Sequence, residues 1–433
     1  MNNALIYALG VLFFVVGIAV SIGLHELGHM YPAKKFGVKV TQFFVGFGNT
    51  IWSTKRGETE YGLKSIPLGG YVKLVGMLPP AKDQDPHEVR DTNTGLFTQL
   101  ATDARNAEYD TITDEDLPRL FYRLPWWKKV IVMAGGPMMN VVIAVVLFGI
   151  VIMGFGALQP TLTVQAVSDC AISDAEQGRA CTAADPETPA SIAKLQPGDV
   201  ITSFGGQQIT SWDQLTRVIR DNGSDTAELT YTRDGRAEQV TIRPTVIARA
   251  DLDDPSETVE VGFLGVQPTT ENQRGTPFDV LSTVGTYGQD TASAIVHLPV
   301  RMIDVTKAAF GAERDPAGPI GVVGASRISG ELVTYDDPTW AERGSRVLAL
   351  LAGLNLFLAM FNLIPLLPFD GGHIAGALWE ALRRGWATLR GRPDPGFVDV
   401  AKGLPVAYGV GMVLILMSVI LVYVDIVNPV RLS

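Results

Sequence analysis

His25, Glu26 and His29 stand in the pattern His-Glu-x-x-His, which can do chemistry if it lies on a helix. Four positions apart, the two imidazoles fall on one helical face, about 40° apart in rotation and roughly 6 Å apart along the axis, so one ion can take a nitrogen from each. Glu26, one step on from His25, can then address a water on that ion. Neutral imidazoles on a zinc ion, a third protein ligand and a glutamate that takes the water's proton make up a zinc-hydrolase arrangement. The bland alternative is a pair of histidines lining a helix end. With only five histidines in the chain, that alternative must explain why two of them meet around a glutamate at this spacing.

The element that carries the pattern is apolar: residues 1–24, immediately before His25, contain no charged side chain. Ionisable groups beside a hydrophobic span are expensive and usually functional. The chain is 433 residues long, 47% hydrophobic and only 18% charged, too apolar on average for an ordinary soluble enzyme. Charge-free runs at residues 1–24, 130–158, 347–369 and 403–424 each reach the roughly 20 residues a helix needs to cross about 30 Å of hydrocarbon. The expected fold is therefore a polytopic α-helical membrane protein with four transmembrane helices. A cleavable signal peptide competes for the first run, but no basic residue precedes it and no small-x-small site separates it from the histidines.

Orientation follows from the lysines and arginines near the span ends. Lys34, Lys35 and Lys39 follow the first run, Lys128 and Lys129 precede the second, and Arg383, Arg384, Arg390, Arg392 and Lys402 fill the link between the third and fourth. The positive-inside rule makes both connections cytoplasmic, with both termini and the acidic 159–346 segment outside. Cys170 and Cys181 lie in that outer segment, where an oxidising compartment permits a disulfide. A net charge of -10 argues against nucleic acid as a partner.

A third ligand must come from another span. The third run ends in Asn362-Leu363-Ile364-Pro365-Leu366-Leu367-Pro368-Phe369-Asp370-Gly371-Gly372-His373, where Asp370 is the only carboxylate. Spans one and three run the same way, so their inner ends meet at one depth, and His25, His29 and Asp370 can converge on the order of 10 Å below the cytoplasmic interface. A divalent ion, one carboxylate and one hydroxide sum to zero charge, which a low-dielectric site tolerates. Taken alone, Asp370 also reads as a turn residue before two glycines. His373 is expected at the surface or behind the ligands, and His87 and His297 have no ligand spacing.

Residues 38–76 alternate aromatic and β-branched positions, with turn signals at Arg56-Gly57 and Pro67-Leu68-Gly69-Gly70, which suggests a membrane-associated β-hairpin or sheet. A helix must be extended before its backbone can be cut, and a strand edge can hold it so. Residues 80–120 read as a solvated loop with partial helix, and Trp126, Trp127, Lys128 and Lys129 as an interface marker. Residues 161–245 alternate like strands. Their Pro197-Gly198-Asp199 turn and Gly205-Gly206 hairpin resemble a single PDZ domain. The amphipathic stretch 278–310, too charged to cross, is expected to lie along the outer surface and guard the cleft, in either a membrane-surface or a domain-packing role.

The chain resembles the site-2 protease family of intramembrane zinc metalloproteases, in particular its bacterial RseP-like members. Four motifs carry this in order: His25 to His29, Ile66-Pro67-Leu68-Gly69-Gly70-Tyr71-Val72-Lys73, Ala134-Gly135-Gly136-Pro137-Met138-Met139-Asn140, and the run from Asn362 to Gly371. Phe369 stands where the family usually has leucine before its aspartate. The resemblance implies His25, His29 and Asp370 as Zn2+ ligands and Glu26 as general base. It also implies that Asn362 bonds the substrate backbone or steadies the oxyanion, and that the reaction cleaves a peptide bond within a partner's transmembrane segment.

The expected organisation is a first transmembrane helix with the His-Glu-x-x-His pattern (1–35), a re-entrant β region (36–80), a cytoplasmic loop (81–125) and a second helix (126–160). An extracytoplasmic PDZ domain (161–250), an amphipathic gating region (251–345), a third helix (346–372), a cytoplasmic loop (373–402) and a fourth helix with the C-terminus (403–433) complete it. The expected setting is the bacterial cytoplasmic membrane, with the zinc site near its inner face. The expected partners are the lipid bilayer and a single-pass membrane substrate, such as a pre-cleaved anti-sigma factor in regulated intramembrane proteolysis; oligomeric state is left open. From other classes, a membrane zinc transporter or sensor would use the same ligands, and a PDZ scaffold would leave the buried cluster without purpose.

Overall fold

The first apolar run folds as helix α1 (Asn3–Lys35), 33 residues long, with Leu5, Leu9, Leu12, Phe13, Val16 and Val20 exposed along its first half. The structure is a computed structural model that describes residues 3–79, 112–173, 181–182, 185–252, 258–315, 318–334 and 339–430. His87, and with it most of the loop expected at 81–125, lies outside the described residues.

After α1 the chain forms two long antiparallel strands, β1 (Val40–Arg56) and β2 (Thr59–Leu74). Their connection at residues 57–58 uses Gly57 with φ +62°, a conformation that favours glycine. Residues 42–45 have partners on both sides, at 60–63 and at 70–73, so the hairpin folds over on itself. Gly46 and Gly69, with φ of +92° each, sit where the strands bend. The expected turn at residues 67–70 is thus a bend inside β2.

Helix α2 (Trp126–Gly149) continues as a π-helical turn, Ile150–Phe155. The chain then enters a separate compact unit, Gly156–Arg274. That unit holds strand β3 (Ala157–Val167), a single turn α3 (Pro189–Ile192), β4 (Val200–Phe204), β5 (Gln207–Gln208), helix α4 (Trp212–Asp221), β6 (Ala227–Arg233), β7 (Arg236–Ile242), β8 (Thr245–Ala250), β9 (Thr258–Phe263) and β10 (Val266–Gln273). Its main sheet runs β10-β3-β4-β6-β7 with β5 on β4, while β8 and β9 pair separately. Ser211 caps α4 by accepting the Gln214 amide, and Leu215 and Ile219 of α4 pack on Val164, Ile201, Phe204 and Leu229. Cys170 and Cys181 are joined by a disulfide with Cα atoms 5.9 Å apart. The unit extends past the expected boundary at 250, because β10 completes the sheet by pairing with β3.

The chain returns to the first unit through α5 (Pro277–Ala309), α6 (Val322–Leu332), α7 (Trp340–Asn362), α8 (Asp370–Leu389) and, after the turn Val400–Gly403, α9 (Leu404–Val427). Thr276 and Thr339 start α5 and α7 with reciprocal capping boxes to Asp279 and Glu342. Among the described residues, four helices are long and apolar enough to cross a membrane: Asn3–Lys35, Trp126–Phe155, Trp340–Asn362 and Val400–Val427. Residues 370–389, largely within the link expected as a loop, are helical, and Ala377, Glu380 and Ala387 bury a face. Lys129, expected among the interface markers, has its ammonium buried against Glu380 at 2.7 Å. Within the amphipathic stretch 278–310, Val280 packs with Phe148 and Ala352, while Met302 and Val305 pack with Val424.

Candidate metal centre

Two glycines let α1 and α2 cross at backbone contact. A β-carbon on Gly28 would collide with the Gly135 carbonyl, and one on Gly135 with the Gly28 carbonyl. Small residues at such a crossing allow packing that larger side chains prevent. One residue along, Gly136 faces the imidazoles: a β-carbon there would overlap His29 Nε2 and lie 2.7 Å from His25 Nε2. The close crossing also brings His29 Nδ1 to the Val132 carbonyl at 2.8 Å. With Nδ1 donating to Val132, the His29 lone pair sits on Nε2, the nitrogen turned toward Asp370.

The third group comes from the break between α7 and α8. Pro365 and Pro368 end α7, since a proline bars its predecessor from helical geometry and lacks the helical donor. The chain restarts a helix at Asp370, where the unpaired amides of a first turn favour a carboxylate. Gly371 and Gly372 lie against the backbone of residues 363–367, where β-carbons would collide, so the break folds tightly.

His25 Nε2 and His29 Nε2 are 3.2 Å apart, and Asp370 Oδ2 lies 3.4 Å from the first and 3.3 Å from the second. A tetrahedral zinc ion with bonds of about 2.0–2.1 Å holds its ligand atoms about 3.3–3.4 Å from one another. The near-equilateral triangle therefore suits one ion with a fourth position left for water. Asp370 Oδ2 is buried without a hydrogen-bond donor, as expected of an oxygen reserved for a cation. These three are a metal-capable group among the described residues.

Glu26 points toward the hairpin. A β-carbon on Gly70 would stand 3.1 Å from Glu26 Cγ, and the Val72 backbone hydrogen-bonds to the Glu26 carboxylate. Among the described residues, 70–74 have strand partners on one edge only. Asn362, on the last turn of α7, donates its amide to the Leu358 carbonyl at 3.0 Å, a contact inside its own helix. His373 lies one turn along α8 from Asp370 and lines a small cavity with Lys129 and Glu380. His297 is exposed and bonds its own helix at Ser293. The sequence reading did not assign roles to Gly28, Gly136 or the Val132 carbonyl. The signal for the first two was small residues near the ends of apolar runs.

The hairpin is anchored from outside the spans. Arg119 clamps Glu58, beside the hairpin turn, through two 2.7 Å bonds and donates to the Gly37 carbonyl, while Lys39 pairs with Asp116 at 2.7 Å. The Arg119 bonds hold the Glu58 carboxyl below the ordinary glutamate range. Burial alone would raise Asp116, but bonds from Lys39 and Thr113 bring it below the aspartate range.

Residues 13–392 match the family model described as "Peptidase family M50". The chain is 33% identical over 447 residues to "Zinc metalloprotease Rip1" of Mycobacterium tuberculosis, covering 99% of this chain and 100% of that protein. It is 26% identical to "Zinc metalloprotease RasP" of Oceanobacillus iheyensis, covering 86% of this chain and 91% of the relative. Among solved structures, the PDZ domain of the SdrC-like protein from Listeria monocytogenes aligns at 21% identity and a TM-score of 0.17, over 25% of this chain and 87% of its own.

Proposed function

This chain belongs to peptidase family M50, and from that premise we propose that it cuts a peptide bond inside the transmembrane segment of a single-pass membrane protein. It is a zinc metalloprotease, and zinc is its cofactor. The convergence of His25, His29 and Asp370, drawn from two helices more than 300 residues apart in sequence, is the observation that carries the reading.

In this reading the three side chains hold the ion. Zinc, when bound, polarises the scissile carbonyl and acidifies a water. Glu26 accepts the proton of the attacking water on its carboxylate and returns it to the departing amide nitrogen. The Val72 contact and the Gly70 approach keep that carboxylate against β2. The substrate backbone, unwound from its helix, adds to the hairpin along residues 70–74 and takes up its hydrogen-bonding groups there. Asn362 retains amide hydrogen-bonding capacity beyond its bond to Leu358, which suits a role in holding the substrate backbone or steadying the oxyanion.

The lysines after α1 and the arginines of α8 support a cytoplasmic location for the inner ends of α1 and α7. The unit Gly156–Arg274 then lies outside, in keeping with its disulfide. We read it as one PDZ domain, supported by its sheet path, the Pro197-Gly198-Asp199 turn before β4 and the Gly205-Gly206 turn after it. A pre-cleaved anti-sigma factor is the substrate class favoured. The test is capture: Glu26→Gln protein is used to retain substrates from bacterial membranes, and each captured protein is offered to the unmodified enzyme. Cleavage within a transmembrane segment supports the reading. Metal moving across vesicles with no peptide product supports a transporter instead.

A further inference from the structure

Helix α8 starts at the metal centre and ends in an apolar face that no described residue covers. At 100° per residue, Leu378, Trp379, Leu382, Trp386 and Leu389 fall within about 100° of arc. They are 44%, 57%, 66%, 58% and 85% exposed. The opposite arc, at Ala377, Glu380 and Ala387, is buried, and Glu380 there pairs with Lys129 of α2. The buried face of α8 thus carries an ion pair and the exposed face is apolar, and among the described residues only the buried face has protein against it.

Length alone would let α8 span a bilayer, yet Glu380, Arg383 and Arg384 sit at its middle and it is not among the four candidate spans. Its depth is indicated by its neighbour. Glu380 meets Lys129 in the first turn of α2, beside the half-exposed Trp126 and Trp127, the residue types that mark a membrane interface. Arg383 and Arg390 line one edge of the apolar arc, at roughly 140° and 120° on the same wheel, and Arg390 and Arg392 are exposed. Trp386 carries the Arg390 guanidinium 4.3 Å from its ring centre, which keeps that charge beside the apolar face. An apolar arc with two tryptophans, edged by arginines and level with an aromatic belt, fits an anionic lipid interface.

We propose that the exposed face of α8 seats in the headgroup boundary of an anionic cytoplasmic leaflet, with Arg390 and Arg392 on lipid phosphates, and that this seating sets the depth of Asp370. The coupling is covalent and short: Asp370 is the first residue of α8 and Leu378 lies two turns on. The proposal rests on the proteolytic reading for its effect on rate, but the seating itself does not.

The test uses the full chain in vesicles of phosphatidylcholine, with or without phosphatidylglycerol. Tryptophan quenching by lipids brominated near the headgroup or near the chain end is compared between the unmodified protein and a Trp379→Phe, Trp386→Phe variant. The fluorescence those two tryptophans contribute should be quenched more by shallow than by deep bromines. Deep quenching equal to shallow overturns the proposal, as does no quenching, the result expected if a second copy or water covers the face. Cleavage of a model transmembrane substrate should run about fivefold faster with phosphatidylglycerol, and Arg390→Gln with Arg392→Gln should remove that gain. Equal rates in both lipids, or a gain that survives the double substitution, overturns the charge assignment. Quenching needs no catalysis, so it stands even where the proteolytic reading fails.

Discussion

Gly136 of α2 lies so close to the His29 imidazole that a β-carbon at position 136 would overlap Nε2. The glycine is therefore part of the wall that holds the ligand nitrogens on one point. Gly136→Ala should push the ring off that point and weaken zinc affinity by about 10–100-fold, the range seen when groups supporting metal ligands are altered. Bound zinc measured after dialysis against a graded chelator checks this, with the unfolding midpoint as a control. Unchanged zinc affinity would show that the imidazoles have slack the packing does not reveal.

Removal of the proton acceptor should separate binding from chemistry. Glu26→Gln preserves size and hydrogen bonding, so zinc content should stay at the level of the unmodified protein while cleavage falls by about 10²–10⁴-fold. Asp370→Asn should do the reverse in order, losing zinc first and activity with it. Metal analysis and a gel assay on the same preparations distinguish the two. A Glu26→Gln protein that still cuts at full rate would end the assignment of the base.

The C-terminal end of α9 is locked by a buried charge. Asp425 takes the Arg314 guanidinium at 2.8 Å and the backbone amides of Gly321 and Gly324, at the start of α6, at 2.9 and 2.8 Å. Both side chains are under 5% exposed. Asp425→Ala leaves the guanidinium without its counter-ion and should destabilise the fold by about 3–5 kcal/mol. Unfolding in detergent micelles measures it, and adding Arg314→Met should recover much of the loss, because the stranded charge is then gone.

In the unit Gly156–Arg274, Asp199 is buried and bound bidentately by Arg233, with oxygen to nitrogen distances of 2.8 and 2.7 Å. Burial alone would raise its carboxyl, but the Arg233 bonds and the Gln196 amide bring it below the ordinary aspartate range. A carboxyl depressed in the folded state contributes stability that is present above its unfolded value of about 3.9 and is lost as pH falls through its folded value. Amide exchange in β4 and β6 of the full chain should therefore stay slow down to about pH 4 and quicken below it. In Asp199→Asn the same amides should exchange faster at neutral pH and show a shallower acid limb.

The legible parts of this protein are those where the signal is local. His25, Glu26 and His29 are separated by less than a helical turn or just over one, so their relation follows from helical geometry alone. The four apolar runs announce helices because nothing else satisfies a backbone in hydrocarbon. The alternation over residues 38–76 announced strands, although not that residues 42–45 would find partners on two edges. The helix from Asp370 was hidden because four glycines and two arginines break its apolar pattern, and what stabilises it is a distant partner: Lys129 meets Glu380 across 251 positions. Gly136 was visible as a motif letter but not as a wall, since a glycine's role is set by what lies where its side chain would be.

Sequence alone determined the chemistry on offer: a helix-borne histidine pair with its glutamate, one eligible aspartate at an inner span end, and apolar lengths suited to a membrane. Those are questions of residue type, spacing and transfer free energy, which each segment answers by itself. Only the tertiary structure decided that a glycine-on-glycine crossing of α1 and α2 turns His29 to Val132, that α8 begins at the ligand aspartate, and that one face of α8 is left without protein. Such outcomes depend on which surfaces exclude one another at contact distance, and close packing between remote segments leaves no periodic mark in the chain that makes it.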